Sequence, residues 1–322
     1  MSLEFEKINC PLCGCEKNEL FLKTQDRFKL KGELKFEIAA CSECKFTFLN
    51  PRPKPESISA FYESEDYQPF LSTQSGLNFW DRIYLTVRSF TLTNKRCKIS
   101  KIKRGGRLLD IGCGTGEFLH EMQDHGWQVE GLEMDEKAAE FARTKNNLSV
   151  QTLELQDCDF PDQSFDVITL WHVLEHLYDP KESLKKMRNF LKDGGFILIA
   201  VPNISSFDAR FYKTNWVALD APRHLFHFTP ETMSAFCKTA GLSIQKFYQL
   251  PLDAFFNCFM SERIILKNRI LGTLLFPLHF LRGFLIAKIS IFQSLRLSRQ
   301  KNRQGSSILY FVQKRGECHD FI

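Results

Sequence analysis

The chain has 322 residues, 43% of them hydrophobic and 25% charged, with a net charge of +5. That length buries a sizeable core in one large domain or two, and so small a charge gives no argument for nucleic acid unless it is clustered. The start, Met1-Ser2-Leu3-Glu4-Phe5-Glu6, offers neither a basic region nor an apolar run, so it does not read as a secretory signal, and a reducing cytoplasm is expected, where clustered cysteines point to metal more than to disulfides.

Cys10-Pro11-Leu12-Cys13 and Cys41-Ser42-Glu43-Cys44 are two Cys-x-x-Cys knuckles. Each aims two thiolates at one point, and together they supply the tetrahedral sulfur set that zinc prefers. Leu34, Phe36 and Ile38 alternate between them as a strand would. Residues 1–50 therefore read as a zinc-ribbon-like domain with Cys10, Cys13, Cys41 and Cys44 as ligands, against the alternatives of unpaired thiols or a redox pair. Cys15 is a competing ligand. Residues 51–103 read as a proline-stiffened linker and a helical cap, whose Phe61, Tyr62, Tyr67, Phe79, Trp80 and Tyr84 pack on the main body or wall its pocket.

From Arg107 strands and helices alternate, which predicts a parallel α/β sheet with helices on both faces over residues 104–250 and 307–316. Leu108-Leu109-Asp110-Ile111 reads as a buried strand entering the turn Gly112-Cys113-Gly114-Thr115-Gly116 and then a helix start. Glycines there let a ligand touch backbone. Glu117 occupies the position where the dinucleotide fingerprint needs its last glycine, and the Gly-Lys-Ser/Thr ending of a P-loop is missing. Gln128 to Glu133 is a second strand with a carboxylate at its tip, placed to accept both hydroxyls of a ribose. A third strand lies near Val150, a fourth runs from Ser164 to Leu170, and an apolar fifth from Phe196 to Val201.

The hydrophobic-Asp-x-Gly-x-Gly-x-Gly run resembles motif I of the class I S-adenosylmethionine-dependent methyltransferases, and the resemblance extends in order from Arg107 to Asn203. It implies a Rossmann-like seven-stranded sheet and S-adenosylmethionine as cofactor. The binding set it implies is Asp110, Gly112, Cys113, Gly114 and Gly116 at the turn, Glu133 and Met134 at the second strand, Asp157 and Cys158 beside the adenine, and Trp171 after the fourth strand. Asp159 is the alternative to Asp157, and a solvated loop acid is the alternative to both.

Trp171-His172-Val173-Leu174-Glu175-His176 resembles the segment in quinone O-methylating enzymes where Glu-x-x-Glu-His can hold a divalent metal. His172 replaces the first acid, leaving either a His172, Glu175 and His176 metal set or a helix-start network. Further on, Pro222-Arg223-His224-Leu225-Phe226-His227-Phe228 resembles a motif of methyltransferases that act with surface-polysaccharide and sugar-modifying functions. Methyl transfer to a hydroxyl needs a base, and histidine suits it. His224 is the candidate base, with His227 and Asp220 as partners, His176 as second candidate, and Arg223 as acceptor binder. The alternative is that Arg223 and His224 peg the loop to the sheet.

Leu242 to Leu250 and Ser307 to Gln313 read as sixth and seventh strands, separated by an insertion at 251–306. No acid lies between Glu262 and Glu317, while Arg263, Lys267, Arg269, Arg282, Lys288, Arg296, Arg299, Lys301 and Arg303 punctuate apolar runs. With Pro277 and Arg282 breaking the longest run below the roughly 20 residues a bilayer needs, the insertion reads as two amphipathic helices divided at Pro277, lying on a membrane surface. A helical dimer interface is the alternative, and the oligomeric state stays open.

The expected function is methyl transfer to a hydroxyl of a glycan or lipid-linked saccharide, in a cytoplasmic protein peripheral to the inner face of a membrane. A quinone-type lipid O-methyltransferase, an RNA methyltransferase and a non-catalytic S-adenosylmethionine-binding scaffold are the alternatives. Glu4, Glu6, Glu16, Glu19, Glu33, Glu37 and Glu43 around the knuckles argue against a nucleic-acid partner.

Overall fold

The computed structural model describes residues 3–28, 34–62, 79–267, 272–298 and 304–316. Tyr67, Arg269, Arg299, Lys301, Arg303 and Glu317 lie outside the described residues, as do the side chains of Phe79, Trp80, Tyr84, Lys267 and Arg296. The N-terminal region contributes β1 (Phe5–Glu6), β2 (Asn18–Gln25), β3 (Lys35–Cys41), β4 (Thr47–Leu49), β5 (Arg52–Pro53), α1 (Pro55–Ile58) and α2 (Phe79–Ser100).

The main body then alternates β6 (Arg107–Ile111), α3 (Glu117–Gln123), β7 (Gln128–Leu132), α4 (Glu136–Lys145), β8 (Ser149–Gln151), β9 (Phe165–Trp171), α5 (Pro180–Phe190) and β10 (Leu191–Pro202). After it come α6 (Phe207–Tyr212), β11 (Phe226–His227), α7 (Pro230–Thr239), β12 (Leu242–Gln249), α8 (Pro251–Lys267), α9 (Gly272–Ser298) and β13 (Ser307–Lys314).

Seven strands form one sheet in the order β12-β13-β10-β9-β6-β7-β8. The five from β6 to β10 run parallel, whereas β13 is antiparallel to both neighbours. This is the Rossmann-like methyltransferase sheet that the sequence predicted. Its register follows from burial: every residue of β9 from Phe165 to Leu170 is buried, as is β10 from Gly195 onward, because helices cover both faces. Helix starts are capped locally. Asp135 accepts from the Ala138 N–H, Asp179 from Glu182, and Thr229 and Thr232 make a reciprocal capping box. The chain leaves β6 on one side for β7 and later crosses to β9 on the other, so a crevice opens at the carboxyl end of β6, where ligands bind in open α/β sheets.

A second sheet, in the order β11-β4-β3-β2, joins the cysteine-bearing segment to the main body. Phe226 pairs with Phe48 and His227 with Thr47, so the ribbon borrows a strand from the loop before α7. Around that seam Phe46 packs against Phe48, Phe226, Phe228 and Phe236, all fully buried. Residues 1–50 thus share a core with the sheet domain rather than standing apart from it.

The insertion departs from expectation in two ways. Pro277 does not divide one helix from another; it lies inside α9, past the first turn, where its missing N–H forfeits one bond of the helical ladder without ending the helix. Nor is the apolar run too short to cross a bilayer: Leu275–Ser294 is 20 residues long, with mean hydropathy 1.5, and 28% of it is buried. Arg282 does not interrupt the run because its guanidinium folds back onto Glu262 of α8. Polar anchors hold α9 flat against the body, through His279 to Glu262 and Ser290 to Asp208.

Candidate active site

The glycine turn bends where the sequence requires. Gly112 has φ +69, and a Cβ there would meet Val173 Cγ2 at 2.5 Å. Gly116 has φ +80 and would strike Leu148. Glu133, just past β7, ties the turn down: its carboxylate accepts from the Gly114 N–H at 2.7 Å and from the Asp135 N–H at 2.9 Å. Burial raises its pKa. Each oxygen keeps a lone pair that a ribose hydroxyl can use. Asp110 is buried and accepts from Thr169 Oγ1 at 2.6 Å; burial lifts its pKa to about 7 against that bond.

Other residues of the predicted cofactor set differ in exposure and partners. Cys113 is buried within the turn, and Met134 is 58% exposed just beyond Glu133. Trp171, at the end of β9, lies edge-on to Phe118 with the Lys95 ammonium 4.1 Å from its ring centre, and its indole N–H is buried without a hydrogen-bond partner among the described residues. Asp157 and Asp159 are exposed on the segment after β8, with Cys158 buried between them and its thiol donating to Leu155 O.

The acceptor side gathers around the turn after β9. His172 adopts φ +60, sets Nε2 3.0 Å from Asp253 of α8, and holds Nδ1 3.6 Å from Glu175. Burial works against its protonation, but the bonds to Asp253 and Glu175 raise its pKa to about 10. His172 is thereby committed to the insertion helix, which removes it from the triplet that sequence spacing suggested for a metal. Beyond it, Glu175 catches the loop before α7: its backbone carbonyl accepts from the Leu225 and Phe226 N–H groups.

That contact brings His224 against His176, with ring centres 4.6 Å apart and planes at 84°. His224 is buried, and its Nδ1 lies 2.8 Å from Ala218 O. His176 Nδ1 lies 3.1 Å from both Arg223 O and the Tyr62 hydroxyl. A carbonyl only accepts, so each Nδ1 carries the proton and each Nε2 the lone pair. Burial, reinforced by His224, pulls His176 down to about 4 and His227 to about 3, so both imidazoles are neutral at pH 7. His227 Nε2 is buried without a partner among the described residues.

Arg223 differs from its expected role. Its side chain is fully buried and donates to Asp220, Asp26 and Phe61 O, at 2.7–3.1 Å. No face is left for an acceptor: the guanidinium pegs the loop to the ribbon. Burial opposes ionisation of Asp220, yet Arg27 and Arg223 outweigh it and hold its carboxyl below the ordinary range. Tyr62, one of the cap aromatics expected to pack on the main body or wall its pocket, bonds His176; Asp26 and Asp253 were not singled out by sequence, and no local spacing announces partners that arrive from the ribbon and the insertion.

The four knuckle sulfurs converge. Cys10 and Cys44 stand 3.4 Å apart, Cys13 and Cys41 3.5 Å, and all four fall within 4.8 Å of one another. Tetrahedral zinc with bonds of about 2.3 Å needs sulfurs about 3.8 Å apart, so the set fits that ion. Both knuckles turn through a left-handed residue four beyond the first cysteine, Gly14 and Lys45. Cys15 turns away to Lys17 O and is not a fifth ligand.

Comparison with known proteins agrees with the glycine turn and its sheet. Residues 88–246 match a family described as "Methyltransferase domain". The Ubiquinone biosynthesis O-methyltransferase of Idiomarina loihiensis is 30% identical over 133 residues, covering 39% of this chain and 52% of that one. The enzyme of the same name from Coxiella burnetii is 26% identical over 133 residues, covering 40% and 54%. The chain thus spans about half the length of these curated relatives. Among solved structures, an S-adenosylmethionine-dependent methyltransferase from Mesorhizobium loti is 17% identical, with a TM-score of 0.43, covering 65% of this chain and 92% of that one. With its glycine turn, its acid-tipped second strand and its family match, the chain carries a domain of the S-adenosylmethionine-dependent methyltransferase family.

Proposed function

We propose that the protein transfers the methyl group of S-adenosylmethionine to a hydroxyl of a glycan or lipid-linked saccharide at a membrane surface. The observation that supports the saccharide is a cleft of about 530 Å³ beside the candidate acceptor loop, lined by Lys23, Gln25, Arg27, Phe28, Asn215 and Asp220 among others, though not by His176, His224 or His227. Such a mixture of amide, charge and aromatic surface suits a polyhydroxylated ligand. In the reaction the acceptor oxygen attacks the sulfonium methyl in line, the C–S bond breaks, and the hydroxyl proton passes to an imidazole, with His224 Nε2 the candidate and His176 and His227 beside it. Cys10, Cys13, Cys41 and Cys44 hold a structural zinc that keeps the ribbon, and through Asp26 and Arg223 the acceptor loop, in place.

The membrane component rests on α9. Phe276, Leu278, Phe280, Leu281, Leu285 and Phe292 are each at least half exposed, a contiguous apolar strip larger than scattered surface residues explain. A second reading, a quinone-type lipid O-methyltransferase, is favoured by the names of the curated relatives and uses the same strip. Incubation with methyl-labelled S-adenosylmethionine and lipid extract from cells lacking the gene decides between them. Label in the saccharide-lipid fraction is expected, and label confined to the quinone fraction transfers the assignment. Cofactor binding without label in any fraction overturns both.

A further inference from the structure

In the cleft beside the acceptor loop, the charges that water can reach are cations and the acids lie beneath them. Asp26 and Asp220 line it but are buried, and both accept from the Arg223 guanidinium, at 2.8 and 2.7 Å. Lys23 and Lys35 line it and are exposed. Lys23 faces Glu37 at 2.8 Å in an open pair of the kind that adds little, whereas Lys35 has no counter-ion among the described residues. Arg27 turns Nε and Nη2 toward Asp220, at 2.9 and 3.3 Å, which leaves the two N–H donors of Nη1 without a partner among the described residues. Strand register gathers these groups: Lys35 on β3 stands opposite Gln25 on β2, and Lys23 is two positions from Gln25 on the same face.

We propose that this cleft is a subsite for an anionic group, a phosphate or a carboxylate, which the acceptor carries apart from the hydroxyl to be methylated, with Arg27 and Lys35 as its binders. The planar guanidinium offers paired donors that match either oxyanion, and the lysine adds a point charge. None of the three histidines lines the cleft, so the anion is held away from the reacting oxygen. The two places are nevertheless built on one turn. Asp220 shows its carboxylate to Arg27, while the same turn holds His224, Ala218 O accepting from its Nδ1 at 2.8 Å and Asp220 O from its backbone N–H at 3.0 Å. A ligand fixed at Arg27 therefore has its position set relative to His224 through a short rigid link. Ile264 of α8 also lines the cleft, so the subsite shares a helix with the insertion. An acidic or phosphorylated saccharide uses both cations; an uncharged quinone headgroup uses neither. Naming the ligand as the acceptor rests on the proposed methyl transfer, but the anion binding does not.

The test is calorimetric titration of the full-length protein, its cofactor site saturated with S-adenosylhomocysteine, with glucose 1-phosphate, glucuronate and uncharged methyl glucoside. At least one of the two anions is expected to bind at least ~10-fold more tightly than methyl glucoside, the low end for hydrogen bonds to a charged group, and to weaken as salt is raised. Preference for glucose 1-phosphate names the group as phosphate, and preference for glucuronate names it as carboxylate. Arg27→Gln should cost that anion at least ~10-fold in affinity, and Lys35→Gln about 2- to 5-fold, as for an exposed charge. Unchanged S-adenosylmethionine affinity shows that each variant is folded; should Arg27→Gln fail that control, Lys35→Gln and Arg27→Lys carry the test. Equal affinity for the anions and methyl glucoside, binding of neither anion, or unchanged anion affinity in the folded variants overturns the proposal. Label confined to the quinone fraction in the methyl-transfer experiment removes the acceptor assignment but leaves these affinities, and so this subsite, standing.

Discussion

The cofactor side and the acceptor side of the pocket are built by opposite means. The first uses one short stretch: β6, the glycine turn and the tip of β7, with Glu133 bound to Gly114 only 19 positions away. On the second side, Arg223 reaches Asp26 across 197 positions and His172 reaches Asp253 across 81. A backbone cradle can be specified by neighbours in sequence. A cluster of buried titratable groups needs walls, and here the walls are supplied by the ribbon, the cap and the insertion.

That contrast can be broken in graded steps. Replacing the peg has the largest expected effect: Arg223→Met removes the buried guanidinium that bonds Asp26 and Asp220, leaving Arg27 on Asp220, and should lower stability by about 3–5 kcal/mol in urea unfolding. A loss below about 1 kcal/mol, the size of an exposed pair, would mean that ribbon and loop are not coupled. On the cofactor side, Glu133→Ala should weaken S-adenosylmethionine binding by about 10- to 100-fold in calorimetry, the range for bonds to a charged group. Gly112→Ala, forced to keep φ +69 against Val173, adds strain of about 1–2 kcal/mol and should reduce the same affinity about 10-fold or more.

Two pH effects are smaller and opposite in sign. Asp220 has a depressed folded pKa, so its contribution is present above the ordinary Asp value of about 3.9 and fades as pH falls through the lower folded value. Melting temperature should therefore drop below pH 4, and drop less in Arg223→Met. His172 has a raised folded pKa, to about 10. Its contribution is full below the ordinary His value of about 6.5 and is lost as pH rises toward the folded value. Protection of the first turn of α8 relative to the intrinsic amide exchange rate should fall across that window in wild type, but not in His172→Asn.

The same contrast decides what the sequence revealed. The strands themselves, the glycine turn, Glu133 at the tip of the second strand and the four cysteines were legible because each is a local pattern: period-2 or apolar runs, glycine where the backbone must be left-handed, two turns of fixed spacing. His176 and His224 were legible as residues but not as neighbours. Arg223 misled, because a buried, fully paired guanidinium and a ligand-binding one look alike until Asp26 is seen beside it. Pro277 misled because a proline inside a helix costs a ladder bond without always ending the helix, and α9 continues through it to Ser298.

The proposed reaction makes cofactor binding and acceptor chemistry separable functions of two sets of residues. That separation is tested most directly by measuring S-adenosylmethionine affinity and methyl transfer side by side in Glu133→Ala and His224→Gln, with the lipid fraction that accepts label from wild type. The expected result is that Glu133→Ala loses affinity, while His224→Gln binds the cofactor within about twofold of wild type yet transfers methyl at least about 100-fold more slowly, the lower bound for losing a positioned acid–base group. Wild-type turnover in His224→Gln, or a loss explained wholly by weaker cofactor binding, would contradict it.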